Sequence, residues 1–131
     1  MLAGRADDAR VFGEQALALT RKRRERGFEA WSLRVLGEIA ASTGRSSIKS
    51  AESYYRQALA LATERGMRLL AALCHLGLAK ISRQTGETGD PAHLSIAVKE
   101  FGELAIPFWL ERARAHADGA GTALYPPPSA L

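Results

Sequence analysis

The chain has 131 residues, of which 47% are apolar and 24% are charged, and its formal net charge is +4. No apolar run approaches the roughly 20 residues that a membrane-spanning helix needs, and residues 1–10 lack the basic-then-apolar layout of a secretory signal. A single cysteine, Cys74, excludes an internal disulfide, so we expect a cytoplasmic protein.

The first predicted helix begins at Asp7 or Asp8, which are good N-cap residues, and runs to Arg26, where Gly27 is expected to end it. Apolar residues at three- and four-residue spacing predict its inner stripe, which consists of Ala9, Phe12, Ala16 and Leu19. Residues 21–26, at its end, contain five basic residues and one acid. The net charge of this run, +4, equals the net charge of the whole chain.

Five further helices are predicted, each with an apolar face at helical spacing. The predicted ranges are 28–43, 47–65, 67–84, a helix opened by Asp90-Pro91, and 108–117 after a break at Pro107. From residue 118 the composition changes to Gly, Ala, Thr and a proline run, which predicts a disordered or extended tail. We therefore expect a helical domain at residues 1–117 and a Pro-rich tail at 118–131.

Two short sequence patterns occur twice. Glu25-Arg26-Gly27 returns as Glu64-Arg65-Gly66, and Thr43-Gly44 returns as Thr85-Gly86. The spacing along the chain between the two occurrences of each pattern is typical of helical repeats, in which each unit buries its apolar face against its neighbours. The sequence thus predicts an all-α fold of about six helices, arranged as antiparallel pairs. Arrays of this kind usually provide a binding surface for another molecule.

The helix pairs resemble the tetratricopeptide repeat (TPR), whose unit is two antiparallel helices. The Leu-Gly step of that family is present as Leu36-Gly37, and its small and aromatic positions are present as Ala51, Tyr55 and Ala58. The resemblance implies pairs stacked as a right-handed superhelix, with the first helix of each pair lining a concave face. It also implies that the chain starts in the middle of a repeat.

A narrower resemblance covers roughly residues 5–117. The stretches at 29–40, 54–62 and 74–78, with Phe108-Trp109-Leu110-Glu111, are similar to the C-terminal repeats of large bacterial signalling regulators. Those regulators join an adenylate or guanylate cyclase domain, or another effector, to an ATPase module and a TPR array. This resemblance implies a regulatory segment that binds a protein or peptide partner and carries neither the cyclase nor the ATPase part.

The concave face implied by the resemblance contains residues from two helices. They are Trp31, Arg34, Glu38 and Ser42, followed by Leu73, Lys80, Arg83 and Gln84. Mixed charge with a basic excess suits an extended acidic peptide or a helix. Arg34, Lys80 and Arg83 are the expected ligand contacts, with Trp31 as an apolar anchor. The alternative is a solvated face that has no dedicated ligand.

The first helix corresponds to the second member of a pair whose first member is missing, so apolar surface is expected to be uncovered. We expect Phe12, Leu17 and Leu19 to form a self-association face, or to be covered by a longer natural chain. A homo-oligomer, including a purely structural self-association segment, is therefore one alternative function.

No pattern in the sequence indicates an enzyme, a metal site or a cofactor. Cys74 and His75 are adjacent, but adjacent helical positions point about 100° apart, and Cys74 lies on an apolar stripe. Glu100 and Glu103 are one turn apart without a catalytic partner, and the glycines are spaced as helix ends. The basic run at residues 21–26 offers a second alternative, binding of nucleic acid or an anionic surface, although it lacks interleaved aromatic residues.

Overall fold

The computed structural model describes residues 2–86 and 92–117. Within them the chain forms six α-helices and one short 3₁₀ turn, Arg45–Ser47, between the second and third helices. The helices are α1 Leu2–Lys22, α2 Arg26–Thr43, α3 Ile48–Glu64, α4 Arg68–Thr85, α5 Ala92–Glu103 and α6 Pro107–Ala117. Consecutive helices pack as antiparallel pairs, which confirms the predicted all-α fold.

Helices α2 and α4 correspond in length and in bounds. Each has 18 residues, and their ends coincide when Arg26 is aligned with Arg68 and Thr43 with Thr85. In addition to the sequential contacts, α2 packs directly against α4. The helices that open consecutive pairs therefore lie side by side, and α3 packs against both of them.

The buried side chains form two clusters that divide along α4. The first lies between α2, α3 and α4 and includes Leu17 from α1, whereas the second lies between α4, α5 and α6. Trp31 is half-buried and packs against both clusters. Its ring therefore joins the two halves of the core.

Tyr55 of α3 is a wedge between α2 and α4. Its ring is 1% exposed and lies against Gly37 on α2 and Gly77 on α4. A Cβ at Gly37 would be 3.2 Å from Cγ of Tyr55, and one at Gly77 would be 2.5 Å from Cζ. The three helices can therefore approach this closely only because both facing positions lack a side chain.

The same turn connects α1 to α2, α3 to α4 and α5 to α6. One residue in each turn has a left-handed backbone, with φ of 57° at Arg24, 68° at Gly66 and 55° at Ala105. The next N–H donates to the carbonyl oxygen five residues earlier, from Glu25 to Thr20 (2.9 Å), from Met67 to Ala62 (2.8 Å) and from Ile106 to Phe101 (3.1 Å). These bonds define a Schellman motif, which satisfies carbonyl groups at the helix end.

The predicted bounds of the first helix are wrong. It begins at Leu2 and ends at Lys22, and Gly27 is the second residue of α2. The reason is that Arg24 takes the left-handed position that glycine occupies at residue 66. The return of Glu25-Arg26-Gly27 at residues 64–66 is therefore not a structural equivalence. Thr43-Gly44 and Thr85-Gly86 do mark the ends of corresponding helices, although only Gly86 is in the left-handed conformation.

The predicted inner stripe of α1 is also rotated from the observed one. Phe12, Ala16 and Leu19 are exposed, whereas Leu17 is buried and Gly13 faces Leu36 of α2. Position 17 lies about 140° around the helix from position 12, so both cannot face the same neighbour. The bare backbone of Gly13 permits the close contact, and a count of apolar residues does not detect it.

Two predictions fall outside the described residues. They are the helix start at Asp90-Pro91 and the tail at residues 118–131, while the observed α5 begins at Ala92. In the parts of the chain that the structure describes, no helix has the length and apolar character that crossing a membrane requires.

Candidate partner-binding face

Four residues of the predicted face surround one cavity. Glu38 and Ser42 of α2 and Lys80 and Gln84 of α4 line a cavity of about 470 Å³. Tyr55 and Gly77 also line it, because the wedge holds α2 and α4 apart along this stretch. The side-by-side packing of α2 and α4 thus brings together polar groups that belong to different repeats of the sequence.

A second cavity, of about 640 Å³, continues from the first. The two cavities share four lining residues, Ala41, Ser42, Ile81 and Gln84, so they adjoin near the ends of α2 and α4, and together they are named the groove here. The second cavity adds basic side chains from the α2–α3 connection and α3: Arg45, Lys49 and Arg56. Arg56 is paired with Glu52 at 3.0 Å, whereas Arg45 and Lys49 are exposed. Sequence analysis missed these residues because it considered only the first helix of each pair, whereas Arg45 lies in the connection and Lys49 and Arg56 lie on α3.

Arg34, in contrast, is a core residue. It is 5% exposed, its Nη2 donates to Oε1 of Glu38 one turn later, and its guanidinium lies 5.9 Å from the ring centroid of Trp31. The expectation of an accessible Arg34 is therefore wrong. A buried arginine is retained where a carboxylate and an aromatic face replace its water shell.

Burial changes the acid–base behaviour of the groups beside the cavity. Loss of hydration raises the pKa of Glu38 to about 7, although the positive charges of Arg34 and Lys80 act in the opposite direction. Partial burial lowers the pKa of Lys80, against the effect of Glu38, and the positive charge of Arg112 lowers it further. Near neutral pH the negative charge of Glu38 is thus incomplete.

The other predicted face residues are engaged within the fold. Arg83 is exposed, but its Nη1 donates to the backbone oxygen of His116 and so connects α4 to α6. Leu73 is buried in the second cluster, and Trp31 packs against both clusters. Ligand contact by Trp31 and Arg83 stays a prediction, whereas both have a structural role that the sequence did not indicate.

Cys74 and the histidines also have structural surroundings. Cys74 is buried in the first core cluster, in keeping with its place on an apolar stripe, and burial raises the pKa of its thiol to about 12, so the group stays protonated. The Nδ1 atoms of His75 and His93 lie 2.8 Å apart, so these rings hydrogen-bond between α4 and α5. Among the described residues no group of three or more His, Cys, Asp or Glu side chains is arranged to hold a metal ion.

The basic run at residues 21–26 is partly neutralised by two acids. Arg21 Nε lies 3.1 Å from Oε2 of Glu29, and Arg26 lies 4.0 Å from Oε1 of the same carboxylate. Arg26 also lies 3.6 Å from Oε2 of Glu64 at the end of α3. Glu29 is only 8% exposed, and the contact of Arg26 with Glu64 connects the α1–α2 turn to α3.

Comparison of the chain with protein-family models, with curated proteins and with solved structures finds no match. The repeat equivalence therefore rests on the geometry of this chain itself. Its support is the coincident ends of α2 and α4 and the three related turns.

Proposed function

We propose that the chain is a TPR-like protein-interaction module in which the groove between α2 and α4 holds an extended acidic peptide. The observation that carries this proposal is the convergence of Glu38, Ser42, Lys80 and Gln84 on one cavity that continues past Arg45 and Lys49. In the same proposal the helix pairs form a right-handed superhelix. By its resemblance, the module is the regulatory segment of a bacterial signalling regulator.

The charge distribution favours an acidic ligand. Lys80 lines the first cavity and Arg45 and Lys49 line the second, while Glu52, which also lines the second, is paired with Arg56 at 3.0 Å. Burial raises the pKa of Glu38, which reduces the opposing negative charge near neutral pH. Carboxylates of a peptide would therefore meet positive charge along most of the groove.

The polar side chains of the groove suit the backbone of an extended segment. The two cavities meet at Ser42 and Gln84, whose hydroxyl and amide groups can bond the peptide backbone. Nucleic-acid binding receives less support, because Arg21 and Arg26 in the basic run are paired with Glu29 and Glu64.

Selection from a displayed library of short random peptides tests this proposal. We expect acidic peptides to be enriched on the intact chain, with binding measured by fluorescence anisotropy of the synthetic peptides. Lys80→Glu and Lys49→Glu should each weaken binding by about tenfold, because attraction becomes repulsion. Lys99→Glu is the matched control, since Lys99 is exposed on α5 and makes the same charge change outside the groove.

Two results would contradict the proposal. One is the absence of acidic enrichment, and the other is equal loss of affinity in Lys99→Glu and Lys80→Glu. Far-ultraviolet circular dichroism on each variant verifies that the helices are retained. Binding to a labelled single-stranded DNA that decreases steeply with salt would instead support the nucleic-acid alternative.

A further inference from the structure

The two ends of the array differ in the surface that they expose. Among the described residues of α1 and α2, five large apolar side chains are open to solvent: Phe12 is 70% and Phe28 66% exposed, joined by Val11, Leu19 and Val35. At the α6 end, Glu111 and Arg114 are exposed. Glu111 follows the left-handed Ala105 by the same number of residues as Ala72 follows the left-handed Gly66. Glu111 in α6 therefore corresponds to Ala72 in α4, which is buried. At this position α6 is therefore polar and exposed where α4 is apolar and buried.

The exposed residues at the α1 end have buried counterparts one repeat later. When the left-handed residues of the first two turns are aligned, Leu61 and Leu70 of the first core cluster correspond to Leu19 and Phe28. In the same alignment the partly buried Tyr54 corresponds to Phe12. In the interior repeat α2 is packed against α3 and α4, and it contributes to the cluster that buries these counterparts. A helix antiparallel to α1 would cover the α1 end in the same way.

The charges along α1 identify a second α1 as that helix. Its outer stripe, here named the α1 face, consists of Asp8, Phe12, Ala16, Leu19 and Arg23. These five positions lie within about 40° of one direction around the helix. All five residues are exposed; Asp8 lies near the start of α1, and Arg23 lies in the turn just after it, 3.9 Å from Glu25. The exposed Arg5 lies on the same side of the helix, one turn before Asp8. A two-fold axis between residues 15 and 16 pairs Phe12 with Leu19 of the second copy, and Asp8 with its Arg23.

We propose that the α1 face binds the α1 face of a second copy of this chain, with the two helices antiparallel. Such a two-fold interface is self-complementary and closes at the dimer. A head-to-tail filament would have to place the polar α6 end on the apolar α1 end, which leaves Glu111 and Arg114 against Phe12 and Leu19. This inference does not depend on the peptide groove, because the α1 face contributes no residue to either cavity.

Sedimentation equilibrium of the full chain over a range of concentrations measures the association. We expect a monomer–dimer equilibrium whose dissociation constant increases by about tenfold or more in Phe12→Glu and in Leu19→Lys. Ile96→Glu is the control, because Ile96 is an exposed apolar residue on α5 and lies outside the α1 face. Circular dichroism tests that each variant keeps its helices.

Charge exchange tests the antiparallel arrangement. Asp8→Arg places two bases together and Arg23→Asp places two acids together, so each single change should weaken the dimer. The double change restores opposite charges at both ends of the pair and should restore the affinity of the wild type.

Three results would overturn the inference. The first is a monomer at the highest concentration, which would mean that another helix covers the α1 face. The second is a dimer that is insensitive to Phe12→Glu and Leu19→Lys. The third is a double charge exchange that shows no recovery over the single changes.

Discussion

At the residue scale, two side-chain-bearing residues occupy a backbone conformation that favours glycine. Arg24 and Ala105 have φ of 57° and 55°, while Gly66 has the equivalent position in the middle turn. A Cβ in this conformation crowds the following carbonyl oxygen, at a cost of roughly 1–2 kcal/mol. Arg24 and Ala105 keep this conformation because the hydrogen bonds of the two turns, to the carbonyl groups of Thr20 and Phe101, are made only in it.

Ala105→Gly should therefore stabilise the protein. Relief of the crowding exceeds the added entropy of the unfolded chain, so we expect a gain of about 0.5–1 kcal/mol. Thermal unfolding would show this as an increase in Tm of roughly 2–4 °C. Gly66→Ala is the matched control and should lower Tm by a similar or larger amount. An unchanged or lower Tm in Ala105→Gly would contradict a destabilising left-handed backbone at Ala105.

Glu38 should make the stability depend on pH in the reverse of the usual direction for an acid. Its pKa is raised from 4.5 to about 7 in the folded state by burial. Between these values the folded chain holds a proton that the unfolded chain has released. The free energy of unfolding therefore decreases as the pH rises from about 4.5 to about 7, by about 3 kcal/mol at most.

Urea unfolding at several pH values between 4.5 and 8 tests this expectation. Glu38→Gln keeps a hydrogen-bond acceptor for Arg34 but does not titrate, so its stability should decrease less over this range. The difference between the two curves isolates Glu38 from the other titrating groups. Parallel curves for the wild type and the variant would show that Glu38 ionises normally.

Residue environments were the least predictable feature of the sequence. Arg34 was expected at a concave face because the TPR resemblance placed it there, yet its side chain is buried beside Glu38 and Trp31. Leu17 was expected in a self-association face, yet it belongs to the first core cluster. In both cases a neighbour on the folded chain, Glu38 or the bare backbone of Gly13, decides the environment.

At the element scale, the wedge of Tyr55 sets the distance between α2 and α4. A Cβ at Gly77 would overlap Cζ of Tyr55, whereas a Cβ at Gly102 on α5 would meet nothing within 4 Å. Gly77→Ala should therefore destabilise the protein by about 1–3 kcal/mol. Gly102→Ala should be neutral or stabilising by up to about 1 kcal/mol, because alanine is the better helix former.

A double-mutant cycle distinguishes this clash from a general effect on α4. In a Tyr55→Leu background the ring is absent, so Gly77→Ala should lose most of its penalty in chemical denaturation. Equal penalties in the two backgrounds would mean that the ring does not set the helix spacing.

The helices themselves were predictable, because their apolar spacing repeats over many residues. The ends of α2 and α4 follow from Thr43-Gly44 and Thr85-Gly86, where glycine has a positive φ at both sites. The end of α1 was not predictable, since Arg24 has no sequence feature that favours a left-handed backbone. The site was found in part, because the equivalence of α2 and α4 places Glu38 and Lys80 on neighbouring helices, whereas Arg45 and Lys49 lie outside them.

At the scale of the whole molecule, Trp31 connects two core clusters that α4 otherwise separates. Cooperative unfolding of a repeat protein depends on such contacts between neighbouring units. Trp31→Ala should therefore cost about 3 kcal/mol and uncouple the clusters. Val35→Ala, at an exposed apolar residue of the same helix, is the control.

The uncoupling can be measured with two probes during urea unfolding. In the variant Trp109 is the remaining tryptophan, and it packs against the second cluster. We expect its fluorescence transition to separate from the helicity transition, whereas the two coincide in the wild type. Coincident transitions in Trp31→Ala would show that α4 alone is sufficient to couple the clusters.

The recurrent turn also makes the chain extensible. The residues that follow the left-handed position have nearly the same backbone, with φ −88° and ψ 78° at Glu25 and φ −87° and ψ 80° at Met67. A duplicate of residues 25–66 inserted after Gly66 would therefore enter and leave through junctions of matching geometry. Each insertion would add one helix pair, so gene duplication alone could lengthen the array.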